Sequence, residues 1–205
     1  MPGRPRDPQV DEAIRRAAIE LTVERGYQGL SIEGIAARAG VAKQAVYRRY
    51  RSKGEVVLGA IAEAGMRQPV PATGTLRGDL NLLLSNTFRL LRGSSGLLNR
   101  ALVTEALQDE EFAARFRERH IGLRREVVHD LLAAARERGE ADCPDEEILV
   151  DMVFGPMWYR LVVGHGALDD AFAAQIADAV AAAAGVSEFR EPRYPPSSRQ
   201  GDSNP

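Results

Sequence analysis

Residues 31–53, SIEGIAARAGVAKQAVYRRYRSK, carry the pattern that decides the fold of this chain. Four apolar residues in the first half recur at helical spacing, namely Ile32, Ile35, Ala36 and Ala39. Gly40 follows them, where a helix commonly ends in a left-handed residue. A second run of helix-forming residues begins at about Lys43. The stretch therefore predicts two short helices joined by a tight turn, with Ser31 placed to cap the first.

The same stretch is the most basic part of the chain. Residues 31–53 contain six lysines and arginines against the single acid Glu33, a net +5, whereas the whole chain of 205 residues carries −2. A local positive patch on a mildly acidic protein needs a negatively charged partner, and nucleic acid phosphate is the commonest one. Because a helix-turn-helix places its second helix in the major groove, the stretch predicts a DNA-binding surface.

The side chains of this surface fall into two predicted groups. Residues in the first turn of a recognition helix reach base edges, and here these are Lys43, Gln44 and Ala45. Basic and aromatic side chains suit phosphate contacts, which position the helix without reading sequence. The candidates for that role are Tyr47, Arg48, Arg49 and Lys53. Arg48 lies one turn after Gln44, so a guanine and a phosphate both stay open as its partner.

The order of these residues resembles the helix-turn-helix of the TetR family of transcription regulators. The resemblance rests on SIEGIAARAGV at residues 31–41, AKQAVYRRY at 42–50 and RSKGEVV at 51–57. Three positions depart from the family pattern: Ala42 replaces a capping serine, Tyr50 a phenylalanine, and Gly54 a better helix former. The loss of a side-chain cap costs about 1 kcal/mol. The resemblance implies a dimer that binds an operator and responds to a small molecule in a second domain.

The first 55 residues are expected to form the DNA-binding domain. They carry a net +4, whereas the remainder carries −6. Residues 1–7 form a basic arm, predicted to be disordered, in which Arg4 and Arg6 either follow the minor groove or belong to a solvated tail. Asp7 followed by Pro8 predicts the start of the first helix. The breaker-rich segment 69–74 lies near the domain boundary, residues 56–185 form the second domain, and residues 186–205 form a tail predicted to be disordered.

The second domain also shows only helical patterns, so we expect an all-α protein of about nine helices. After residues 93–96 interrupt the pattern, one helix is predicted at about 97–108 and a long one from Asp109 to about Gly139. The helix that follows Asp142 is apolar almost all round, which requires cover on two sides. With the last helix it predicts a dimer interface, a four-helix bundle made by two copies. The interface candidates are Leu168, Phe172, Ile176 and Val180. Residues 154–172 also resemble the dimer region of one TetR subgroup.

One histidine lies on an apolar stripe. In the predicted long helix, His120 falls between Phe116 and Leu123 and so points inward. It is either a satisfied core histidine or the polar anchor of a small-molecule cavity, since such cavities combine apolar walls with few polar groups. The predicted cavity residues are Leu84, Phe88, Leu102, Phe116, His120, Met152 and Trp158.

Motifs of catalysis and of cofactor or metal binding are absent from the sequence. There is no HExxH, paired CxxC, Gly-rich phosphate loop or GxSxG, and the one Glu-x-x-His, Glu126 to His129, lacks the second copy that a di-iron bundle needs. The single cysteine, Cys143, excludes an intramolecular disulfide. It stands as an incidental thiol or a redox sensor, and its lone occurrence fits a reducing cytoplasm. We expect no enzyme, no cofactor, no metal and no membrane span.

These patterns together predict a cytoplasmic, sequence-specific DNA-binding transcription regulator. The expected form is a homodimeric repressor that binds a palindromic double-stranded operator and answers to a small-molecule effector. A second hypothesis stays open: a helical dimeric adaptor that binds a protein partner through the basic hairpin, without operator recognition.

Overall fold

The computed structural model describes residues 7–186, and all regular elements in that range are helical. The helices are α1 (Pro8–Arg25), α2 (Ile32–Ala39), α3 (Lys43–Tyr47), α4 (Lys53–Met66), α5 (Leu76–Leu91), α6 (Ser94–Ala106), α7 (Glu110–Phe116), α8 (Leu123–Glu137), α9 (Glu146–Val163) and α10 (Asp170–Ala183). A π-helical segment, Arg117–Gly122, joins α7 to α8 without a break. If α7, the π-helical segment and α8 are counted as one continuous helix, the described part holds nine helices. The predicted all-α fold class is therefore confirmed. Arg4, Arg6 and residues 187–205 lie outside the described residues.

Local capping explains where the first helices begin and end. The Asp7 carboxylate accepts from the backbone N–H of Gln9, and the Ser31 hydroxyl accepts from that of Gly34. Gly40 adopts a left-handed conformation with φ 67°, as predicted. Ala42 gives α3 no side-chain cap, so this five-residue helix depends on packing for its stability.

The predicted bounds of α6 are wrong at its start. We expected residues 93–96 to interrupt the helices, but α6 begins at Ser94 and only Arg92 and Gly93 separate it from α5. The serines and Gly96 form the first turn of α6, where small residues let it cross close to α5. A Cβ at Gly96 would lie 2.1 Å from the carbonyl oxygen of Leu91.

The π-helical segment changes which residues of the long helix face inward. Regular α-helical spacing places Leu123 on the stripe that begins with Phe112 and Phe116, yet Leu123 is 42% exposed. The wider π turn adds about one residue to the repeat, so α8 is rotated relative to α7. Arg124 takes the inward position in place of Leu123 and lines a cavity. Val128 follows one turn later and is fully buried.

Two apolar cores hold the helices together. One joins α5, α8, α9 and α10. The other contains the buried faces of α1, α2 and α4, and it continues into α6 through Leu98 and Leu102 and into α7 through Phe112 and Phe116. Trp158 of α9 packs against both cores. Residues 7–55, which we call the head, are therefore packed directly onto α6 and α7.

The four side chains predicted to form the dimer interface, on α10 and just before it, pack within their own chain. Leu168 and Ile176 are largely buried and Val180 fully so in the isolated chain, where α10 lies along α5. Phe172 stacks on Phe88 of α5 with 5.9 Å between ring centroids, and the Arg160 guanidinium lies 3.3 Å from the centroid of the Phe172 ring. Helical spacing cannot tell an intramolecular apolar stripe from an intermolecular one.

A different apolar surface remains uncovered on α9. Tyr159, Val162 and Val163 are each at least half exposed, and Ile148 at the start of the helix is 55% exposed. The neighbouring outer face of α10 consists mainly of alanines. We call the exposed residues Ile148, Tyr159, Val162 and Val163 the α9 outer face. No helix within residues 7–186 is long and apolar enough to cross a membrane.

Candidate DNA-binding surface and effector cavity

The exposed side of α3 forms the candidate DNA-binding surface. Its buried side rests on Val46, which is fully enclosed, while Gln44, Tyr47 and Arg48 are exposed. These three residues are spaced at i, i+3 and i+4, so they share one face of the helix. Ala45 is half-buried beside them. The geometry leaves Gln44 at the amino-terminal turn, where a recognition helix meets base edges.

Two of the predicted phosphate-binding residues are engaged inside the head. The Arg49 guanidinium pairs with Asp11 of α1 and also donates to the carbonyl oxygen of Ala45. The Lys53 ammonium donates to the carbonyl oxygens of Tyr27 and Leu30 at 3.0 and 3.1 Å. Lys53 also lies 4.6 Å from the centroid of the Tyr27 ring. Both cations therefore fix α3 and α4 to α1 and to the loop that precedes α2.

Most other cations of the basic stretch have acidic neighbours. Arg38 makes two hydrogen bonds to Glu24, Lys43 pairs with Glu33, and Arg51 pairs with Glu111 at 2.6 Å. Within residues 7–186, Arg48 is the one cation of this stretch with no ion pair or hydrogen bond. The net +5 of residues 31–53 is therefore partly offset by Asp11, Glu24 and Glu111, which lie outside that stretch.

Polar contacts also tie the head to α6 and α7. The Tyr27 hydroxyl donates to Glu105 of α6 at 2.8 Å, and burial together with that carboxylate raises the pKa of Tyr27. The buried carboxylate of Glu55 pairs with Arg115 of α7 at 2.8 Å and accepts from the backbone N–H of Arg51. Glu55 thus connects the start of α4 to α7.

A cavity of about 360 Å³ lies between α4, α5, α6, α8 and α9. Its apolar wall comes from Ile61, Ala64, Leu90, Leu91, Ile121, Phe154, Met157 and Trp158. The polar side chains that reach it are Thr87, Ser95, Asn99, His120, Arg124, Arg125 and Asp151. Apolar walls with few polar groups are the usual composition of a small-molecule site, and the volume falls within the usual range. A second, smaller hollow shares Gly65, His120 and Arg124 with it.

Only part of the predicted cavity wall lines this space. His120 and Trp158 do, whereas Leu84, Phe88, Leu102, Phe116 and Met152 do not. Leu84, Phe88 and Leu102 are fully buried in the two cores, and Phe116 lies behind His120 as a stacking partner at 5.4 Å. Spacing identified which side chains point inward, but it could not separate core packing from a cavity wall.

His120 is held in one orientation by a short hydrogen-bonded chain. The Asn99 amide donates to the carbonyl oxygen of Ser95 at 2.8 Å, which turns its own oxygen toward His120. That oxygen lies 3.0 Å from Nε2 of His120, so Nε2 carries the proton and donates. Burial, and secondarily the positive charge of Arg124, lowers the pKa of His120 to about 4. The ring is therefore neutral at pH 7.

Arg124 and Arg125 enter the cavity in different electrostatic states. Arg125 pairs with both Asp151 and Glu147, which compensates its charge. Arg124 makes one hydrogen bond, to the Thr87 hydroxyl, and lies 5.8 Å from the centroid of the Phe154 ring. No carboxylate among the described residues pairs with it. Burial lowers the pKa of Arg124, as expected for a desolvated cation.

The remaining candidate chemical groups are structural. Cys143 is buried beside the carbonyl oxygen of Leu132, and burial raises the pKa of its thiol. His129 lies between Glu146 and Glu147 at 3.2 and 3.0 Å. Among residues 7–186, no group of three or more His, Cys, Asp or Glu side chains is placed to hold a metal ion.

Family models match most of the chain. Residues 14–60 match the model of bacterial regulatory proteins of the tetR family, and residues 70–180 match a tetracyclin repressor-like C-terminal domain. The chain is 31% identical to the HTH-type transcriptional regulator YdeS of Bacillus subtilis over 83% of its own length and 87% of that protein. It is 30% identical to a DNA-binding transcriptional repressor TetR of Mycobacteroides abscessus, over 82% and 90% of the two lengths.

Solved structures share the fold. The TetR family transcription regulator SCO0332 superposes with a TM-score of 0.73 at 26% identity, covering 90% of this chain and all of that one. FadR from Bacillus subtilis, solved in complex with stearoyl-CoA, gives a TM-score of 0.67 at 20% identity, covering 83% and 97%. At that identity, the second likeness concerns the fold alone.

The contacts of Lys53 predict a structural role that Lys43 does not share. Lys53→Met should lower the free energy of unfolding by about 1–3 kcal/mol, because two carbonyl oxygens lose a charged donor. Lys43→Met is the matched control and should change stability little, since Lys43 is exposed. Urea unfolding followed by circular dichroism measures both. Equal stability of the two variants would contradict the role given to Lys53.

The lowered pKa of His120 predicts a pH dependence of stability. The unfolded chain binds a proton at this histidine below about pH 6.5, whereas the folded chain does so only near pH 4. Stability should therefore fall as the pH drops through that window, with no contribution from His120 above it. The loss of stability between pH 7.5 and 5 should be smaller in His120→Gln than in wild type or in the exposed control His165→Gln. Identical losses in all three would show that His120 titrates normally.

Proposed function

The chain belongs to the TetR family of DNA-binding transcription regulators, and we propose that it is a homodimeric repressor that a small-molecule effector releases from a palindromic operator. In this proposal residues 1–55 bind DNA, and residues 56–185 bind the effector and form the dimer. As a DNA-binding regulator it acts in the cytoplasm, where its operator is. The proposal gives the chain no catalytic step.

The exposed face of α3 supports the DNA-binding role most directly. Gln44 can pair bidentately with adenine, and Arg48 can contact either a guanine or a phosphate. Lys43, Ala45 and Tyr47 flank Gln44, and Ser31 caps the start of α2. Arg49 and Lys53 contribute indirectly in this scheme, because their cations position α3 and α4 from within the head.

The α9 outer face supports the dimer. Exposed apolar side chains that follow one helix face are costly in water unless a partner covers them. A second copy related by a two-fold axis would cover Tyr159 and Val162 with the same residues of its own α9, and the alanine-rich side of α10 permits close approach. Two heads related by this axis suit two half-sites of a palindrome.

Helix α4 offers a route from the cavity to the head. Its first half, including Val56 and Leu58, is buried in the core shared with α1 and α2. Its second half lines the cavity through Ile61, Ala64 and Gly65. An effector that binds one position of α4 better than another would change the separation of the two heads. The shift in DNA affinity equals the difference in effector affinity between the two forms.

The adaptor hypothesis makes a different prediction for DNA. A protein-binding hairpin would show no preference for one DNA sequence, whereas a repressor prefers its operator over competitor DNA. A mobility-shift assay with the region upstream of the protein's own gene, with and without competitor DNA, separates the two. Retained complex in the presence of competitor supports the repressor.

Gln44 is expected to read a base. Gln44→Ala should weaken binding to the operator by about 1–3 kcal/mol and change binding to random DNA little. The effect should concentrate at one position of each half-site, symmetrically, because both subunits carry the residue. Binding of wild type and variant to all single-base variants of the operator measures this. Matching preference profiles would show that Gln44 does not read sequence.

The α9 outer face is expected to control the oligomeric state. Val162→Glu should yield folded monomers, because the dimer would bury two unpaired carboxylates. The matched control is Leu107→Glu, at an 83% exposed position at the end of α6, and it should remain dimeric. Light scattering gives the masses, and circular dichroism confirms folding. An intact Val162→Glu dimer would place the interface elsewhere.

A further inference from the structure

The effector cavity contains an uncompensated cation. A guanidinium has five N–H donors, and Arg124 uses one of them, toward the Thr87 hydroxyl at 2.5 Å. That hydroxyl donates its own proton to the carbonyl oxygen of Leu83, so it gives Arg124 an acceptor but no negative charge. The Phe154 ring faces the guanidinium without neutralising it. Four donors and a full positive charge thus remain without a partner among the described residues.

The acids around Arg124 do not pair with it. Glu126 and Asp130 line the adjoining hollow with Arg124, but neither forms an ion pair or hydrogen bond with its guanidinium. Asp151 lines the cavity itself but pairs with Arg125, and Glu147 pairs with the other arm of that guanidinium. His120, the remaining titratable group on the wall, is neutral at pH 7 and donates to Asn99. The cavity therefore has a net positive potential that its own side chains do not cancel.

A desolvated cation without a counterion is expensive for a folded protein. Removing an ion from water costs several kcal/mol, and proteins normally pair such charges or leave them at the surface. Arg124 instead takes the inward position because of the π-helical segment that precedes it. Such segments are frequent at functional sites. A ligand anion would supply the missing charge.

On these contacts we propose that the effector is an amphipathic organic anion, whose acidic group binds Arg124 and whose apolar body fills the space toward Trp158 and Met157. This inference rests on the proposed effector-responsive function and names the chemistry of its ligand. A carboxylate and a phosphate monoester share that chemistry, since both match the guanidinium fork with two parallel hydrogen bonds.

The cavity volume also guides the choice of probe. Its 360 Å³ lies near the lower end of the range of small-molecule sites. Decanoate is a small ligand with an acidic head and an unbranched apolar body. Its head would lie close to α4, because the nearest atom to a Cβ built at Gly65 is Nη1 of Arg124, at 3.9 Å. The charged group of the ligand would therefore lie beside α4, the helix that leads to the head.

The test uses the full-length protein and matched pairs of probes. Each pair compares an anion with its neutral isostere: decanoate with decanamide, and naphthalene-2-acetate with naphthalene-2-acetamide. Decyl phosphate tests a phosphate monoester on the same body. Calorimetry gives affinities, and the fluorescence of Trp158, the only tryptophan of the chain, reports occupancy of the cavity by the alkyl probes. Decanoate against decyl phosphate decides which acidic group is preferred.

The variants separate a ligand role of Arg124 from a structural one. Arg124→Gln should weaken binding of the preferred anion about 10- to 100-fold and leave the neutral amide unaffected. Arg124→Lys should lose less, because the charge remains while the fork is lost. The control is Arg89→Gln, at an exposed position on the outer side of α5, which should bind like wild type. Without ligand, Arg124→Gln should melt no lower than wild type, since it removes an uncompensated charge.

Three results would overturn the inference. These are failure of all three anions to bind wild type, equal affinity for an anion and its amide, and unchanged anion binding in Arg124→Gln. A lower melting temperature of unliganded Arg124→Gln would also count against it, because it would show that Arg124 stabilises the fold. Operator binding by the unliganded protein is measured in parallel. If the unliganded protein binds its operator but any of these results is found, the anionic ligand is rejected and the regulator function stands. If the unliganded protein does not bind an operator, the proposed function itself is rejected.

Discussion

Apolar packing of α4 on both of its sides holds the two parts of this molecule together. Val56, Val57 and Leu58 are fully buried between the head and α6. Each buried side chain of this kind contributes about 1.5–3 kcal/mol, whereas an exposed ion pair such as that of Arg51 and Glu111 contributes about 0–1 kcal/mol. The continuous core thus sets how the head sits on the body, and the polar contacts select among nearby arrangements. A change at the cavity end of α4 reaches the head through packed atoms.

The charges of the head show how local pairing reduces a basic surface. Arg49 and Lys53 are as positive in sequence as Arg48, yet they bind acceptors within the head. These two cations orient α3 and α4, because their hydrogen bonds hold both helices within the head. The positive charge left on the outer side of α3 is small. In the proposed DNA-binding role, specificity would therefore depend on a few exposed side chains, of which Gln44 and Arg48 are the candidates.

The cation in the cavity depends on one irregular turn. If Arg117–Gly122 were α-helical, Leu123 would share the inward stripe of Phe112 and Phe116. The π-helical turn rotates α8, so Leu123 is 42% exposed and Arg124 is desolvated in the cavity. Both changes cost free energy in the unliganded chain. A bound anion would recover part of that cost, which connects a local backbone irregularity to effector chemistry.

Local chemistry in the sequence determined the helices, their caps and the family. Asp7, Ser31 and Gly40 act through neighbours a few residues away, so the helix-turn-helix and its Gln44 could be predicted from residue order alone. Other assignments required the tertiary structure. The apolar side of α10 that includes Ile176 packs on α5 of the same chain. Periodicity shows that a helix face is buried, but it does not show which element covers that face. Lys53 binds carbonyl oxygens, because its acceptors at Tyr27 and Leu30 lie far away in sequence. Arg124 reaches the cavity through a π turn that residue spacing does not encode, since that choice is settled by packing between helices.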